Sequence, residues 1–200
     1  MSIQTTRVKH LNDLSIKKKK YVLYWMQQSQ RAEYNHALEY SVSQANQLNR
    51  PVLAVFGLTD DYPEANLRHY TFMLEGLKET QSQLASRGIK LVIRYGHPPD
   101  IAVELGREAC MIVCDRGYLR HQRAWRGQVA RYARCGVVQG ESDAIVPLEV
   151  VSNKAEYAAR TIRPKIHRHL DTYLVDLKPQ KLGRQSLELN VAGLNLGNVD

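Results

Sequence analysis

The side chains best able to bind or react gather in five short stretches, each directly behind a run of apolar residues. Gln27-Gln28-Ser29-Gln30-Arg31 follows Tyr21–Met26, Thr59-Asp60-Asp61 follows Pro51–Leu58, and Gly96-His97 follows Ile89–Tyr95. Asp115-Arg116-Gly117-Tyr118 follows Cys110–Cys114, and Gly140-Glu141-Ser142-Asp143 follows Val137–Gln139. Amides, carboxylates and guanidinium groups of this kind hold and orient ligands. Bond-breaking machinery has no frame here: neither Gly-x-Ser-x-Gly nor His-Glu-x-x-His occurs, the sequence settings of a hydrolase nucleophile and of a zinc protease. The turn behind the first run has no glycine, and no Gly-x-x-x-x-Gly-Lys-Ser/Thr loop is present. That argues against a Rossmann oxidoreductase and a P-loop NTPase, both of which cradle phosphate on such glycines. Asp115 beside Arg116 reads either as a pair that orients a ligand or as a salt bridge that pins the loop. Ser29 reads as a cap on the helix containing Arg31, with no base nearby to make it a nucleophile. His36 and His69 fall on expected helices and read as ordinary surface or half-buried histidines.

The cysteines do not form a reactive set. Cys110 and Cys114 share one apolar run, which as a strand separates them by ~13 Å, whereas a disulfide needs Cα atoms within ~7 Å. No Cys-x-x-Cys or His-x-x-x-His spacing completes a zinc site with them or with Cys135. Buried thiols in a reducing compartment are expected.

The apolar runs and the stretches between them set the elements. Val52–Phe56 is apolar at every position, as in a strand covered on both faces. Between the runs, Tyr34, Leu38, Ser41, Ala45 and Leu48 recur at helical spacing, as do Leu67, Tyr70, Leu74, Leu77 and Leu84. Gly88 stops the second helix and Pro98-Pro99 opens the third. In the fourth, Trp125, Val129 and Tyr132 share a buried side, while Arg120, Arg123, Arg131 and Arg134 share the opposite, solvated one. Strand–helix alternation of this kind predicts an α/β fold: a Rossmann-like, doubly wound, mostly parallel five-stranded sheet over residues 21–150, with helices on both faces. Such a sheet binds its ligand outside the carboxyl ends of the strands, where all five polar stretches fall. Residues 1–20 read as a basic flexible leader, with Lys17–Lys20 as an open charge run. Residues 151–177 read as a short helical extension: Asn153 and Glu156 form a capping box before a helix at 154–160, and Pro164 starts a second helix carrying Ile166, Leu170 and Tyr173. Residues 178–200 read as a linker or tail whose leucines need something to dock on.

Two hundred residues are enough for one domain of ordinary size. With 44% apolar and 24% charged residues, collagen, coiled coil and wholesale disorder are excluded. The longest nearly apolar run is too short to span a bilayer, and the polar N-terminus lacks a signal peptide's apolar segment. A cytoplasmic protein without a membrane partner is expected. The net charge is +8. Residues 110–170 hold eleven Lys or Arg against five Asp or Glu, a distribution that points to an anionic partner.

Five segments carry a family resemblance. They are Tyr24–Arg31 with Asn35, Phe72–Leu77, Asp115–Arg120 with Trp125, Glu141–Asp143 with Val146-Pro147, and Ser152–Tyr157 running into Ala159–Ile166. In this order, from about Tyr21 to Leu177, they resemble the N-terminal part of class II cyclobutane pyrimidine dimer photolyases. The resemblance implies an α/β domain that hosts a light-harvesting antenna chromophore, often a deazaflavin. Full-length members are more than twice as long, and their C-terminal all-helical domain binds FAD and carries out DNA repair as a carbon–carbon lyase. No catalytic residue of the family can be placed on this chain, and the chain alone is expected to be inactive. Trp25, Met26 and Phe56 are candidates for the flat wall of a chromophore site, or for core; Gln30, Arg31 and Asp115 are candidate anchors. The implied partners are damaged DNA, through the full-length enzyme, and the helical FAD domain. A patch around Tyr157, Ile162, Ile166, Leu170 and Tyr173 is expected to face that domain. Two other readings stay open: a free-standing module for a nucleotide or flavin-like ligand, and a basic DNA-binding accessory domain.

Overall fold

The computed structural model describes residues 3–198. Five parallel strands make the sheet: β2 (Tyr21–Trp25), β3 (Val52–Leu58), β4 (Lys90–Tyr95), β5 (Ala109–Asp115) and β6 (Gly136–Gly140). A sixth, β1 (Val8–His10), pairs antiparallel with β6, giving the order β1-β6-β5-β2-β3-β4. Every residue of β2, β5 and β6 is buried, which is why those runs lack polar alternation.

Alternate side chains feed two cores. Val22, Tyr24, Val113 and Val138 point to the face covered by α1 (His36–Leu48) and α2 (Leu67–Ser86), where Leu38, Val42, Leu77 and Leu84 meet them. Leu23, Trp25, Ile112, Cys114 and Val137 point to the other face, against Ile101 and Leu105 of α3 (Pro98–Gly106) and Val129 of α4 (Arg120–Tyr132). Asn35 caps α1 by accepting from the Leu38 N–H. Gly88, at φ +77°, turns the chain out of α2. The three cysteines are free and buried. Among the described residues no helix is long and apolar enough to cross a membrane.

Several expectations need correction. Most of the expected flexible leader is tied down: Thr5–Arg7 forms a 3₁₀ turn, β1 extends the sheet, and the Lys17 and Lys20 N–H groups donate to the Cys110 and Glu108 carbonyls. Three residues with a single valine are too few to show a period. The 151–177 region folds differently from the expected pair of helices. It contains α5 (Leu148–Val151), α6 (Ala159–His167) and α7 (Leu170–Tyr173), with Pro164 inside α6 and not at a helix start. The Asn153–Glu156 capping box is absent; the Glu156 carboxylate instead accepts from Ser152 Oγ at 2.8 Å and Lys165 Nζ at 2.5 Å. Tyr173 is buried with Val146 and Val151, and Ile162, Ile166 and Leu170 pack on them, so most of the expected interdomain patch closes on itself; Tyr157 alone stands 96% exposed. The stripes on α2 and α4 are shorter than the spacing implied, since Leu67 and Tyr132 face solvent.

The tail finds its dock on this chain. The Ser186 N–H donates to the Gly88 carbonyl at 2.8 Å, and the Leu194 N–H to the Ile93 carbonyl at 2.7 Å. Leu196 is buried in the α1/α2 core. The segment thus covers the free edge of β4, which would otherwise offer open strand hydrogen bonds. Residues 1–2 and 199–200, the outer ends of the expected leader and tail, lie outside the described residues.

Candidate functional site

The winding of the sheet reverses between β2 and β5, and a doubly wound sheet opens its crevice at that point. Here the chain leaving β2 folds back over the crevice. At the end of β5 the fully buried Asp115 carboxylate accepts from Tyr24 Oη at 2.8 Å and from the Gln27, Gln28 and Ser29 N–H groups, each at 2.9 Å. Burial pushes this carboxyl up, while the hydrogen bonds to Gln28, Ser29, Tyr24 and Gln27 pull it back down. Asn35 Nδ2 donates to Tyr24 Oη at 2.7 Å and to the Ser29 carbonyl at 3.0 Å, locking the turn to the start of α1.

With the switch point filled, the open space lies beside it, over the ends of β2 and β3. A cavity of about 550 Å³ lies there. Trp25, Met26, Phe56 and Gly57 form its strand side, Tyr70, Met73 and Gly76 of α2 a second wall, and Gln122 and Trp125 of α4 a third. Gly57 is required: a Cβ there would lie 2.7 Å from Pro98 Cα, so only glycine lets the start of α3 close this side. At the rim, Tyr62, His121 and Trp125 pack edge to face, with ring centroids 4.7 Å apart for Tyr62–His121 and 5.2 Å for His121–Trp125. Gln122 Nε2 donates to Gln28 Oε1 at 2.5 Å and to Tyr62 Oη at 3.3 Å.

The polar groups in this apolar space are conspicuous for what they lack. Trp25 Nε1 and both amide atoms of Gln27 are buried without a hydrogen-bond partner, and both residues line the cavity. An unpaired buried donor or acceptor costs ~1–3 kcal/mol, so these three atoms leave polar capacity unused beside the cavity. No cluster of three or more His, Cys, Asp or Glu side chains suited to a metal exists among the described residues.

Four of the six sequence candidates, Trp25, Met26, Gln30 and Phe56, line this cavity, and Arg31 and Asp115 do not. Asp115 faces inward under the turn. Arg31 reaches the other way, to Asp143 Oδ1 at 2.8 Å and to the Ser142 and Tyr34 carbonyls at 3.1 and 3.2 Å. Ser29 is not a helix cap; its Oγ donates to Asp143 Oδ1 at 2.8 Å, and Asn35 caps α1. Asp115 and Arg116 do not pair with each other: Arg116 pins its loop to Glu141 at 2.7 Å and Glu149 at 3.2 Å, while Asp115 holds the 27–29 turn. Sequence reasoning missed the cavity-lining positions of Gln27, Tyr62 and Trp125. Gln27 stood in the right polar stretch. Tyr62 carried no signal, because the rings it meets come from α4.

Residues 22–182 match the family model described as DNA photolyase. The chain is 44% identical over 191 residues to the deoxyribodipyrimidine photo-lyase of Methanothermobacter thermautotrophicus, covering 94% of this chain and 42% of that protein. It superposes on a bacterial class III photolyase from Agrobacterium tumefaciens with a TM-score of 0.71 at 19% identity, over 92% of this chain and 39% of the other. A photolyase from Sulfolobus tokodaii, solved with two FAD molecules and an implied novel light-harvesting cofactor, gives a TM-score of 0.62 at 14% identity, over 88% of this chain and 40% of that one. The chain therefore spans about two-fifths of the length of these proteins.

Proposed function

The chain belongs to the DNA photolyase family, and on that premise we propose that it is the antenna domain of a class II enzyme, its cavity holding a planar chromophore of deazaflavin type. The observation that carries this reading is a mainly apolar cavity at the strand ends with the buried, unpaired Trp25 Nε1 and Gln27 amide beside it. The pyrimidine ring of a deazaflavin presents carbonyl acceptors on either side of an N–H donor. Gln27 offers the complementary amide, Trp25 Nε1 a further donor, and Gln30 a second amide on the same wall. Met26 and Phe56 supply flat apolar contact, and Gly57 leaves room for it. A chromophore without phosphate needs no glycine-rich loop, in keeping with the glycine-free turn behind β2. The Sulfolobus tokodaii protein, with two FAD molecules and an implied light-harvesting cofactor, supports a flavin-sized ring system here.

A bound chromophore would supply absorption of near-UV or blue light and excitation energy for the FAD of a full-length enzyme that repairs cyclobutane pyrimidine dimers. This chain's own residues do the holding. Asp115 fixes the turn that carries Gln27 and Gln28, Gly57 and Pro98 close the strand side, and the Tyr62–His121–Trp125 cluster shields the rim from water. In the full-length enzyme FAD sits in a helical domain outside this chain. Fluorescence titration with a 5-deazaflavin tests the assignment: saturable, one-to-one binding is expected. Trp25→Phe and Gln27→Ala should each weaken it about tenfold, as expected for loss of one buried hydrogen bond. Failure of the folded chain to bind any deazaflavin, flavin or folate overturns it.

A further inference from the structure

A second cavity, of about 710 Å³, lies between β1, β6, the N-terminal half of α4 and the 148–162 segment. Its lining contains five cations, Lys9, Arg116, Arg123, Arg126 and Lys154, against two carboxylates, Glu149 and Glu156, a surplus of three. Both carboxylates are already engaged: Glu149 with Lys9 at 3.1 Å and Arg116 at 3.2 Å, Glu156 with Lys165 at 2.5 Å. Arg123, Arg126 and Lys154 have no carboxylate within 4.0 Å among the described residues.

Arg126 is the unusual one. It is only 7% exposed, and its one side-chain hydrogen bond is a 3.3 Å contact from Nη1 to the Gln122 carbonyl of its own helix. A guanidinium this buried ordinarily has a carboxylate beside it, because an uncompensated buried charge is strongly destabilising. The nearby Cys114 thiol does not serve, since burial pushes it up to about 12 and leaves it neutral. Asp115 spends its carboxylate on Tyr24 and the turn. Burial lowers the Arg126 pKa, with the charges of Arg116 and Arg123 adding to it and Asp115 opposing.

We propose that this cavity binds a phosphate monoester of nucleotide size, its dianion held between Arg123 and Arg126. Guanidinium forks match the oxygens of phosphate, and a surplus of three positive charges suits a dianion better than a carboxylate. Ser152, Asn153 and Gln139 line the same space and offer hydroxyl and amide groups to the rest of the ligand. A small molecule is favoured over a nucleic-acid backbone because Arg126 is buried. Backbone phosphates would meet the exposed Arg120 and Arg131 of α4, and Arg134 just beyond it, first.

Calorimetric titration of the chain with inorganic phosphate, AMP and adenosine at matched ionic strength tests this. Phosphate and AMP are expected to bind and to compete, and adenosine to give no heat. Arg126→Met should abolish binding; should that variant fail to fold, Arg123→Gln, at an exposed position, should still weaken it about tenfold. Absence of phosphate binding, adenosine binding as well as AMP, or unchanged affinity in Arg123→Gln overturns the proposal. Displacement of AMP by a short DNA duplex at concentrations below the AMP Kd would overturn the small-molecule assignment.

Discussion

Asp115 shows what a single side chain decides in this protein. It accepts one side-chain and three backbone hydrogen bonds while fully buried, so it builds the turn that forms the cavity's floor. Asp115→Asn replaces one acceptor oxygen by a donor facing donors. A loss of about 2–4 kcal/mol in urea unfolding is expected, and chromophore binding should fall with it. Arg31→Ala should behave differently: its ion pair with Asp143 is 2.8 Å long but the arginine is largely solvated, so a loss within about 1 kcal/mol and unchanged chromophore affinity are expected. The sequence showed a carboxylate at a strand end but not its direction, because the N–H groups that claim it lie 86 to 88 residues earlier. His36 offers a pH test. Burial, with Arg7 and Arg31 adding to it, lowers its pKa from 6.5 to about 4, so the folded protein holds it neutral. As pH falls from 6.5 towards 4 the unfolded chain takes up a proton that the folded one refuses, and stability drops. His36→Gln should flatten that part of the profile in urea unfolding; an identical slope in the variant would remove His36 as its source.

At the scale of elements, what was legible followed from burial. β2 and β3 announce themselves because they run apolar throughout, and β5 because it does so up to Asp115, while β4 and β6 are apolar at their centres only. β1 stayed hidden because a three-residue edge strand with one valine has no period to read. The α5–α7 region was misread because Pro164 suggested a helix start, while the chain keeps it inside a nine-residue helix. The cavity's α2 wall was equally illegible: its pattern is helical throughout, yet only the second half packs fully, leaving Leu67 82% exposed and Phe72, on the cavity's lining, 79% exposed. The tail's leucines did signal docking, but no local pattern names the partner, which is the edge of β4. The Gln180 N–H, donating to Glu39 Oε2 at 2.7 Å, and Leu196 fasten that segment at two distant points. Leu196→Ala should therefore cost about 2–4 kcal/mol, as for other buried leucines. Truncation after residue 178 should uncover the β4 edge, with self-association in sedimentation velocity; a truncated chain as monomeric and as stable as the full one would show that the tail does not protect the sheet.

The whole molecule joins two sites at the same end of one sheet: an apolar cavity with an unpaired polar edge and a basic cavity with an unpaired buried arginine. The chain spans 42% of the length of its Methanothermobacter thermautotrophicus relative, and the proposed reaction needs an electron donor in contact with the dimer. On the proposed reading, excitation collected by a chromophore above β2 and β3 would have two exits, transfer to an acceptor flavin or re-emission. With the chain alone, re-emission is the route available. The chromophore-loaded chain, illuminated with blue light beside DNA containing thymine dimers and free FAD, should fluoresce strongly and leave the dimers intact. Trp25→Phe, by weakening the complex, should lower that fluorescence in proportion to occupancy. Measurable dimer reversal by this chain alone would show that it carries repair chemistry of its own, and would overturn its assignment as an antenna domain.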